Sequence, residues 1–123
     1  MRIALGLVAL FCICRLVSAG AEYVSEWTTV KVTAYCPCEI CCGKWAKYGK
    51  TASGRPSQLP GVAVDTAVFP HGTRFDIPGH GSWLLADDTG SAVTGLHLDV
   101  RVPTHAEAVK HGVKRLRVRC WRK

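Results

Sequence analysis

Three aspartates in this chain of 123 residues each stand at the end of a short apolar segment. Asp65 follows Gly-Val-Ala-Val, Asp88 follows Trp-Leu-Leu-Ala-Asp, and Asp99 follows Gly-Leu-His-Leu. Apolar runs of this length, bounded by Gly, Pro and Thr, are typical of buried strands. A single aspartate in such a place commonly does no more than open a turn. Three in one small domain indicate carboxylates gathered at strand ends, where a site would form.

Carboxylates gathered in this way suit glycosidic-bond cleavage. That reaction needs a carboxylic acid to protonate the leaving oxygen, and an ordinary hydrolase adds a second carboxylate as nucleophile or water activator. To act as the acid near neutral pH, an aspartate needs a raised pKa, which burial or a neighbouring negative charge produces. His97 lies two residues before Asp99, so a strand places both side chains on one face, and His97 is a further candidate. Asp87, next to Asp88, is interpreted as structural or solvent-facing.

The N-terminal segment has the pattern of a secretory signal peptide. A charged Met-Arg start is followed by an apolar run over residues 3–14 and a small-residue exit at Ala19. The apolar run is too short for a stable membrane span. We expect residues 1–19 to be removed, which leaves a soluble exported domain of about 100 residues, enough for one core.

The chain is basic, with 16 Lys and Arg against 9 Asp and Glu and a formal net charge of +7. Removal of the signal peptide takes away two arginines and no acid, so the expected mature charge is +5. Apolar and basic residues alternate over residues 116–120, which predicts a strand with one buried and one cationic face. The charge either protects a solvated strand edge or attracts an anionic polymer such as cell wall. Export and the lack of a stacking-aromatic motif argue against nucleic acid.

The remaining pattern is that of a mainly β chain. Alternating or apolar segments predict six strands, at residues 29–35, 61–65, 73–77, 83–86, 96–100 and 113–120. One short helix is predicted to begin at Thr104, which forms a capping box with Glu107, and to end at Gly112. Several short strands with one short helix are typical of a closed barrel.

A cluster of cysteines is the second unusual feature. Four thiols lie in Cys36-Pro-Cys38-Glu-Ile-Cys41-Cys42, and Cys120 lies far downstream. Disulfides are the default in an exported protein, and we predict two, with a bridge from this loop to Cys120 and one thiol left over. A thiolate metal site is the alternative, because Zn²⁺ accepts four cysteines, although this spacing is not the usual Cys-x-x-Cys. Cysteine catalysis is least favoured, because no pattern pairs a histidine with a thiol.

The order and spacing of the aspartate motifs resemble the 3D domain, a family named for its three aspartates. The motifs that carry the resemblance are, in chain order, Thr-Ala-Tyr35, Thr51-Ala-Ser-Gly54, Ala-Val-Asp65, Ala-Asp-Asp88-Thr89-Gly90 and Gly-Leu-His97-Leu-Asp99-Val. The domain is similar to the catalytic domain of MltA-type lytic transglycosylases and to the stationary-phase survival proteins of spore-forming bacteria. The resemblance implies a six-stranded double-psi β-barrel, here over residues 28–121.

The resemblance also implies a mechanism. In the resembled transglycosylases one aspartic acid protonates the bond between MurNAc and GlcNAc. As a carboxylate it then takes the proton from the sugar's own 6-hydroxyl, which gives a 1,6-anhydro product without water. That role falls to the last of the three, here Asp99, with Asp88 and Asp65 tuning or orienting it. The implied substrate-binding residues are Tyr35, Thr51, Gly54, Thr89, Gly90 and His97, and the mechanism requires no metal or organic cofactor.

We therefore expect a monomeric, exported lytic transglycosylase of the cell envelope that acts on peptidoglycan strands. The alternative is a non-catalytic wall-binding module, because double-psi barrels also occur in expansin-like proteins that hold polysaccharide without a demonstrated need for bond cleavage. Trp45 and Trp121 are candidates for stacking on a sugar, whereas Trp83 is expected in the core. A third class, a thiol–metal or redox protein, would depend on the cysteines and not on the aspartates.

Overall fold

The computed structural model describes residues 22–123, so the predicted signal peptide, residues 1–19, lies outside the described residues. Six strands are present in the described part: β1 Val24–Tyr35, β2 Val62–Ala63, β3 Arg74–Ile77, β4 Gly81–Asp88, β5 His97–Arg101 and β6 Lys114–Arg122. They are accompanied by two short α-helices, α1 Glu39–Cys42 and α2 His105–His111, and by a 3-10 helix, Gly43–Tyr48. No helix in this range has the length and apolarity that a membrane crossing needs.

The strands close into one barrel in the order β1-β5-β2-β4-β3-β6. Strands β1 and β5 are parallel, as are β2 and β4, and the other neighbouring pairs are antiparallel. The predicted fold class, a mainly β six-stranded double-psi barrel, is confirmed. The predicted helix is α2, in which Thr104 Oγ1 accepts a hydrogen bond from the Glu107 N–H at 3.2 Å. Helix α1 was not predicted, because four residues carry no helical periodicity.

The barrel core comes from alternation along the strands. Val30 and Val32 of β1 and Val118 of β6 are fully buried, and Phe69 and Phe75 meet edge to face with ring centroids 5.2 Å apart. Each fully buried side chain of this size stabilises the fold by roughly 1.5–3 kcal/mol. The core is continuous through the barrel and includes residues from all six strands.

The cationic face predicted for the last strand lies on the outside of the barrel. Arg117 and Arg119 of β6 lie over the ring of the exposed Trp27, with guanidinium-to-centroid distances of 5.3 and 5.8 Å. Because β6 pairs with β1 on one side and β3 on the other, it is not a sheet edge. The interpretation of this charge as protection of a strand edge is therefore wrong, since closure of the barrel leaves this strand no free edge.

A buried ion pair lies beneath one end of the barrel. Arg101 of β5 donates to both carboxylate oxygens of Asp87 of β4, at 3.0 and 2.8 Å. Arg55 donates to the same carboxylate at 2.9 Å, and Arg101 also donates to the Leu59 carbonyl. A Cβ on Gly61 would lie 2.5 Å from both the guanidinium and the carboxylate, so only glycine leaves room for the pair. Asp87 is structural as predicted but is not solvent-facing, since it is 1 % exposed.

The two arginines that hold Asp87 differ in burial, which makes them a matched pair for mutation. The side chain of Arg101 is 2 % exposed and that of Arg55 is 29 % exposed. We predict that Arg101→Met lowers the free energy of unfolding by about 3–5 kcal/mol, because it leaves a buried carboxylate without its bidentate partner. Arg55→Met should cost about 1 kcal/mol or less, because water screens that contact. Urea unfolding followed by circular dichroism measures both, and equal losses would contradict this account.

Candidate active site

A cleft of about 1010 Å³ opens beside the C-terminal ends of β1 and β4. Its lining contains nine of the residues singled out from the sequence: Tyr35, Cys41, Cys42, Trp45, Thr51, Asp88, Thr89, Gly90 and Asp99. Tyr35 and Asp88 end their strands and Asp99 lies within β5, whereas the others lie in the short helices and loops, as expected for a site in which a rigid barrel positions loops. Two of the three predicted catalytic aspartates thus share one cavity.

Asp99 reaches the cleft from the middle of β5. It lies opposite Thr33 of β1 and Ala63 of β2, so strands on both sides fix its backbone. The Thr33 hydroxyl donates a hydrogen bond of 2.9 Å to Asp99 Oδ1. Burial raises the pKa of the Asp99 carboxyl, and the negative charge of Asp88 raises it further, whereas the Thr33 hydrogen bond acts in the opposite direction. The site thus favours the protonated form of Asp99, as a general acid requires.

Thr33 also links Asp99 to His97. The Thr33 oxygen lies 2.7 Å from His97 Nε2. A threonine hydroxyl has one proton, and Thr33 gives it to Asp99, so its oxygen accepts a hydrogen bond from His97. Burial, and next the charge of Lys31, lowers the pKa of His97, which favours the neutral imidazole. His97 is buried and lies outside the cleft lining, and its side-chain contact is with Thr33, so its contact with a sugar stays a prediction.

Asp88 is held in place by three donors at the end of β4. The Tyr35 hydroxyl donates to Oδ2 at 2.7 Å, and the backbone N–H groups of Ala52 and Thr89 each donate to Oδ1 at 2.9 Å. Tyr35 in turn accepts a hydrogen bond of 3.0 Å from Arg101. Burial and the bond to Asp88 raise the pKa of Tyr35, so its proton stays on the phenol. The buried ion pair is therefore connected through Tyr35 to the carboxylate in the cleft.

Asp65, the third aspartate, does not line the cleft. Its Oδ1 accepts from the Ala67 N–H at 3.0 Å and its Oδ2 from the Gly95 N–H at 2.8 Å, which ties together two loops. Hydrogen bonding to Gly95 and to Ala67 lowers the pKa of its carboxyl, the opposite of the shift at Asp99. In this geometry Asp65 has the turn-forming role weighed in the sequence analysis, and the predicted catalytic contribution has no contact to support it.

The other predicted sugar-binding residues fall into two groups. Thr51, Thr89 and Gly90 line the cleft, and Thr51 Oγ1 also accepts a hydrogen bond of 3.2 Å from the Arg55 N–H. Gly54 lies outside the lining, in a turn where its φ is +87°, so it shapes the loop that carries Thr51. The sequence did not identify Thr33 and Arg101 as site residues. Thr33 is the first residue of the Thr-Ala-Tyr35 motif, which was the available signal.

The cysteines are distributed differently from the prediction. Cys36 and Cys38 are bonded to each other, and Cys41, Cys42 and Cys120 are free thiols. Among residues 22–123 there is thus one disulfide and not two, and the predicted bridge from the loop to Cys120 is absent. The reason is that Cys120 points inward from β6 into the core, opposite Glu26 and Phe75, whereas the loop cysteines lie beside the cleft.

Aromatic side chains form the outer rim of the cleft. Trp45 and Tyr48 are 63 % and 59 % exposed, their rings lie 5.9 Å apart, and both line the cavity. Trp83 is not in the core as predicted but is 45 % exposed, and it packs edge to face against Tyr23 and Trp121 on another part of the surface. Its backbone has a φ of 57°, which turns the side chain away from the alternation expected of the strand.

Comparisons with known proteins identify a family. The family model described as 3D domain matches residues 61–122. Over 104 residues, 84 % of this chain, the sequence is 34 % identical to YabE of Bacillus subtilis (strain 168), whose name gives cell wall shaping as its provisional role. Over 58 residues, 47 % of this chain, it is 40 % identical to the cell wall-binding protein YocH of the same organism. These matches cover 25 % and 20 % of the relatives' own lengths.

A solved structure was also found. The crystal structure of MltA from E. coli aligns with 58 % of this chain and 26 % of its own, at a TM-score of 0.42 and 25 % sequence identity.

The contacts of Asp99 predict opposite pKa changes in two variants. Thr33→Val keeps the shape of the side chain but removes the hydrogen bond to the ionised carboxylate, so the pKa of Asp99 should rise. Asp88→Asn removes a nearby negative charge, so the pKa of Asp99 should fall. Titration of the ¹³C carboxyl resonance of Asp99 by NMR measures both. Shifts of the same sign in the two variants would disprove the assigned contacts.

Proposed function

This chain belongs to the 3D domain family, and from that premise we propose that it is a lytic transglycosylase acting on peptidoglycan. The proposal places the domain at residues 28–121 and the reaction at Asp99. One observation carries it: Asp99 is a half-buried carboxyl in a large cleft, its pKa is raised, and Thr33 fixes its orientation. These are the properties that a single residue needs in order to act first as an acid and then as a base.

The proposed reaction uses one carboxyl group and no water. Protonated Asp99 donates its proton to the oxygen that joins MurNAc C1 to GlcNAc, and that C1–O bond breaks as positive charge develops on the MurNAc ring. The Asp99 carboxylate then removes the proton from the 6-hydroxyl of the same MurNAc, whose oxygen bonds to C1. The products are a 1,6-anhydroMurNAc end and a free GlcNAc 4-hydroxyl, so atoms and charge balance and Asp99 is regenerated.

The contacts around Asp99 suit this sequence of steps. Thr33 occupies Oδ1, and among the described residues no hydrogen bond is made to Oδ2, which leaves that oxygen for the substrate. The negative charge of Asp88 opposes ionisation of Asp99 before the reaction. The same charge stabilises the positive sugar ring that forms when the bond breaks. Asp88 is therefore a supporting group for which Tyr35 and two backbone N–H groups set the position.

The proposed substrate also fits the rim and the charge of the domain. Exposed Trp45 and Tyr48 present ring faces on which a sugar can stack, and Lys50 lies beside them in the lining. The net positive charge, +7 for the whole sequence and +5 expected after removal of the signal peptide, favours the acidic peptides of peptidoglycan. Relatives named for cell wall shaping and cell wall binding support the same polymer. We place the protein, as a monomer, outside the cytoplasm in the cell envelope.

A wall-binding module is the second candidate. The exposed aromatic rim favours it, because stacking alone holds glycan without bond cleavage, and one relative carries a cell wall-binding name. Such a module would need Trp45 and Tyr48 and would not need a protonated Asp99. The two candidates thus differ in the residue on which they depend.

Asp99→Asn separates the two candidates. This change keeps the size of the side chain and removes the transferable proton, so formation of anhydro-muropeptides from purified sacculi should fall by at least roughly 10²–10⁴-fold. Mass spectrometry of the soluble products measures this, and pelleting with insoluble peptidoglycan should be unchanged. Asp76→Asn is the matched control, because Asp76 lies outside the cleft lining, where it accepts from the Trp83 N–H.

Two results would reject the transglycosylase proposal. A folded Asp99→Asn protein that releases anhydro-muropeptides at the wild-type rate would remove Asp99 from the chemistry. A wild-type protein that binds sacculi but releases only reducing-end products, or none at all, between pH 4 and pH 8 would leave the wall-binding module as the better account.

The aromatic rim gives a complementary prediction on binding. Trp45→Ala should weaken binding to insoluble peptidoglycan by up to roughly tenfold, since a ring stacked on a sugar contributes about 0.5–1.5 kcal/mol. Trp83→Ala is the control, because Trp83 is exposed but lies outside the cleft lining. Equal losses in the two variants, measured by pelleting, would mean that the cleft is not where glycan binds.

A further inference from the structure

Four metal-ligating side chains converge beside the cleft. Cys36, Cys38 and Cys41 come from the segment that follows β1, and His105 is the first residue of α2. Each offers one ligand atom, and all four atoms lie within 4.8 Å of one another. Neither the proposed reaction nor the barrel core uses any of these side chains.

Four of the separations between ligand atoms are close to those of a tetrahedral zinc site, whereas the sulfurs of Cys36 and Cys38 are bonded and would have to move apart. The His105 Nδ1 atom lies 3.9, 3.8 and 3.3 Å from the sulfurs of Cys36, Cys38 and Cys41. The sulfurs of Cys36 and Cys41 are 3.5 Å apart. An ion with Zn–S bonds of about 2.3 Å and Zn–N bonds of about 2.0 Å places its ligand atoms roughly 3.5–3.8 Å apart.

The disulfide between Cys36 and Cys38 explains the convergence of the four side chains less fully than a bound metal ion does. Its cysteines are two positions apart, so it closes a very short loop and ties the segment to nothing outside itself. A cross-link this local removes little freedom from the unfolded chain. The disulfide also does not explain why the Cys41 sulfur and His105 Nδ1 lie next to each other. A ligand common to all four groups accounts for the position of each.

We propose that the reduced protein binds one Zn²⁺ through Cys36, Cys38, Cys41 and His105 Nδ1. If the disulfide is present, an added thiol or phosphine reductant first supplies the two electrons that return Cys36 and Cys38 to thiols. Binding then releases three protons, one from each thiol, and neutral His105 supplies a lone pair, so the metal step involves no oxidation. Four protein ligands leave no open position, so the ion is structural and not catalytic.

The ion would hold one wall of the cleft in place. Helix α1 and the 3-10 helix after it contain no buried residue, so little apolar packing fixes this segment. Yet Cys41, Trp45 and Tyr48 of the same segment line the cleft. A bond from the segment through zinc to His105 ties it to α2, which packs against β1. Small domains in which apolar packing is limited commonly use a structural metal ion for stability.

The two remaining described cysteines serve as controls. The Cys42 thiol donates to the Cys36 carbonyl and lies outside the four-residue cluster, and Cys120 is buried in the barrel core. We expect the tag-free, fully reduced protein to bind one equivalent of added Zn²⁺, measured by elemental analysis after removal of free metal. His105→Ala and Cys41→Ser should lower the zinc affinity by at least about 100-fold, whereas Cys42→Ser and Cys120→Ala should keep one ion.

Cobalt gives a second readout that does not depend on variants. Co²⁺ bound to the reduced wild-type protein should show the absorption bands of tetrahedral coordination together with sulfur-to-cobalt charge transfer. Reduced wild-type protein that binds no Zn²⁺ and gives no such spectrum would overturn the proposal, as would His105→Ala protein that binds zinc as tightly as wild type. None of these measurements involves glycan cleavage, so their failure is distinct from a failure of the transglycosylase proposal.

Discussion

The buried ion pair between Asp87 and Arg101 is the constraint on which the site depends. Its bidentate geometry fixes the end of β4 against β5, and Gly61 is the small residue that makes the approach possible. Arg101 then donates to Tyr35, and Tyr35 donates to Asp88 in the cleft. A buried charge pair of this kind contributes specificity of geometry more than net stability, because desolvation offsets much of its attraction. The position of Asp88 is thus set from beneath the cleft.

The two neighbouring carboxylates of β4, Asp87 and Asp88, have different roles. The register of β4 against β2 shifts between the partners of Val62 and Ala63, which are Ala86 and Asp88, so Asp87 is the extra residue between them. Asp87 is buried against Arg101, whereas Asp88 lines the cleft. One is neutralised by Arg101 and Arg55, and the other receives only neutral donors. The charge of Asp88 lies close enough to raise the pKa of Asp99. The same residue type, one position apart, serves two different purposes.

Asp99 is held in a way that costs stability. Because its pKa is raised in the folded state, the folded protein binds the proton more tightly than the unfolded chain does. Stability therefore falls as the pH rises from the ordinary aspartate pKa to the raised one, and the loss persists above both. Such a cost is expected where a residue is kept for reactivity. Asp65, with a lowered pKa, contributes in the opposite direction: its stabilisation is present above the ordinary value and is lost as the pH falls.

Short-range pattern in the sequence was enough to determine the six strands, the capped helix α2 and three candidate aspartates, of which two line the cleft. Alternation and capping depend on neighbouring residues, so they can be read from the sequence. Family resemblance supplied the barrel topology and the roles of the aspartates. Tertiary structure alone decided which groups meet: Arg101 under Tyr35, Thr33 between His97 and Asp99, and His105 beside the cysteines. These partners lie more than 60 residues apart in the chain, and the parallel pairing of β1 with β5 brings those on the strands together. The bridge predicted for Cys120 was wrong and Asp65 lies outside the cleft lining for the same reason, since their motifs do not say toward which side of the barrel they point.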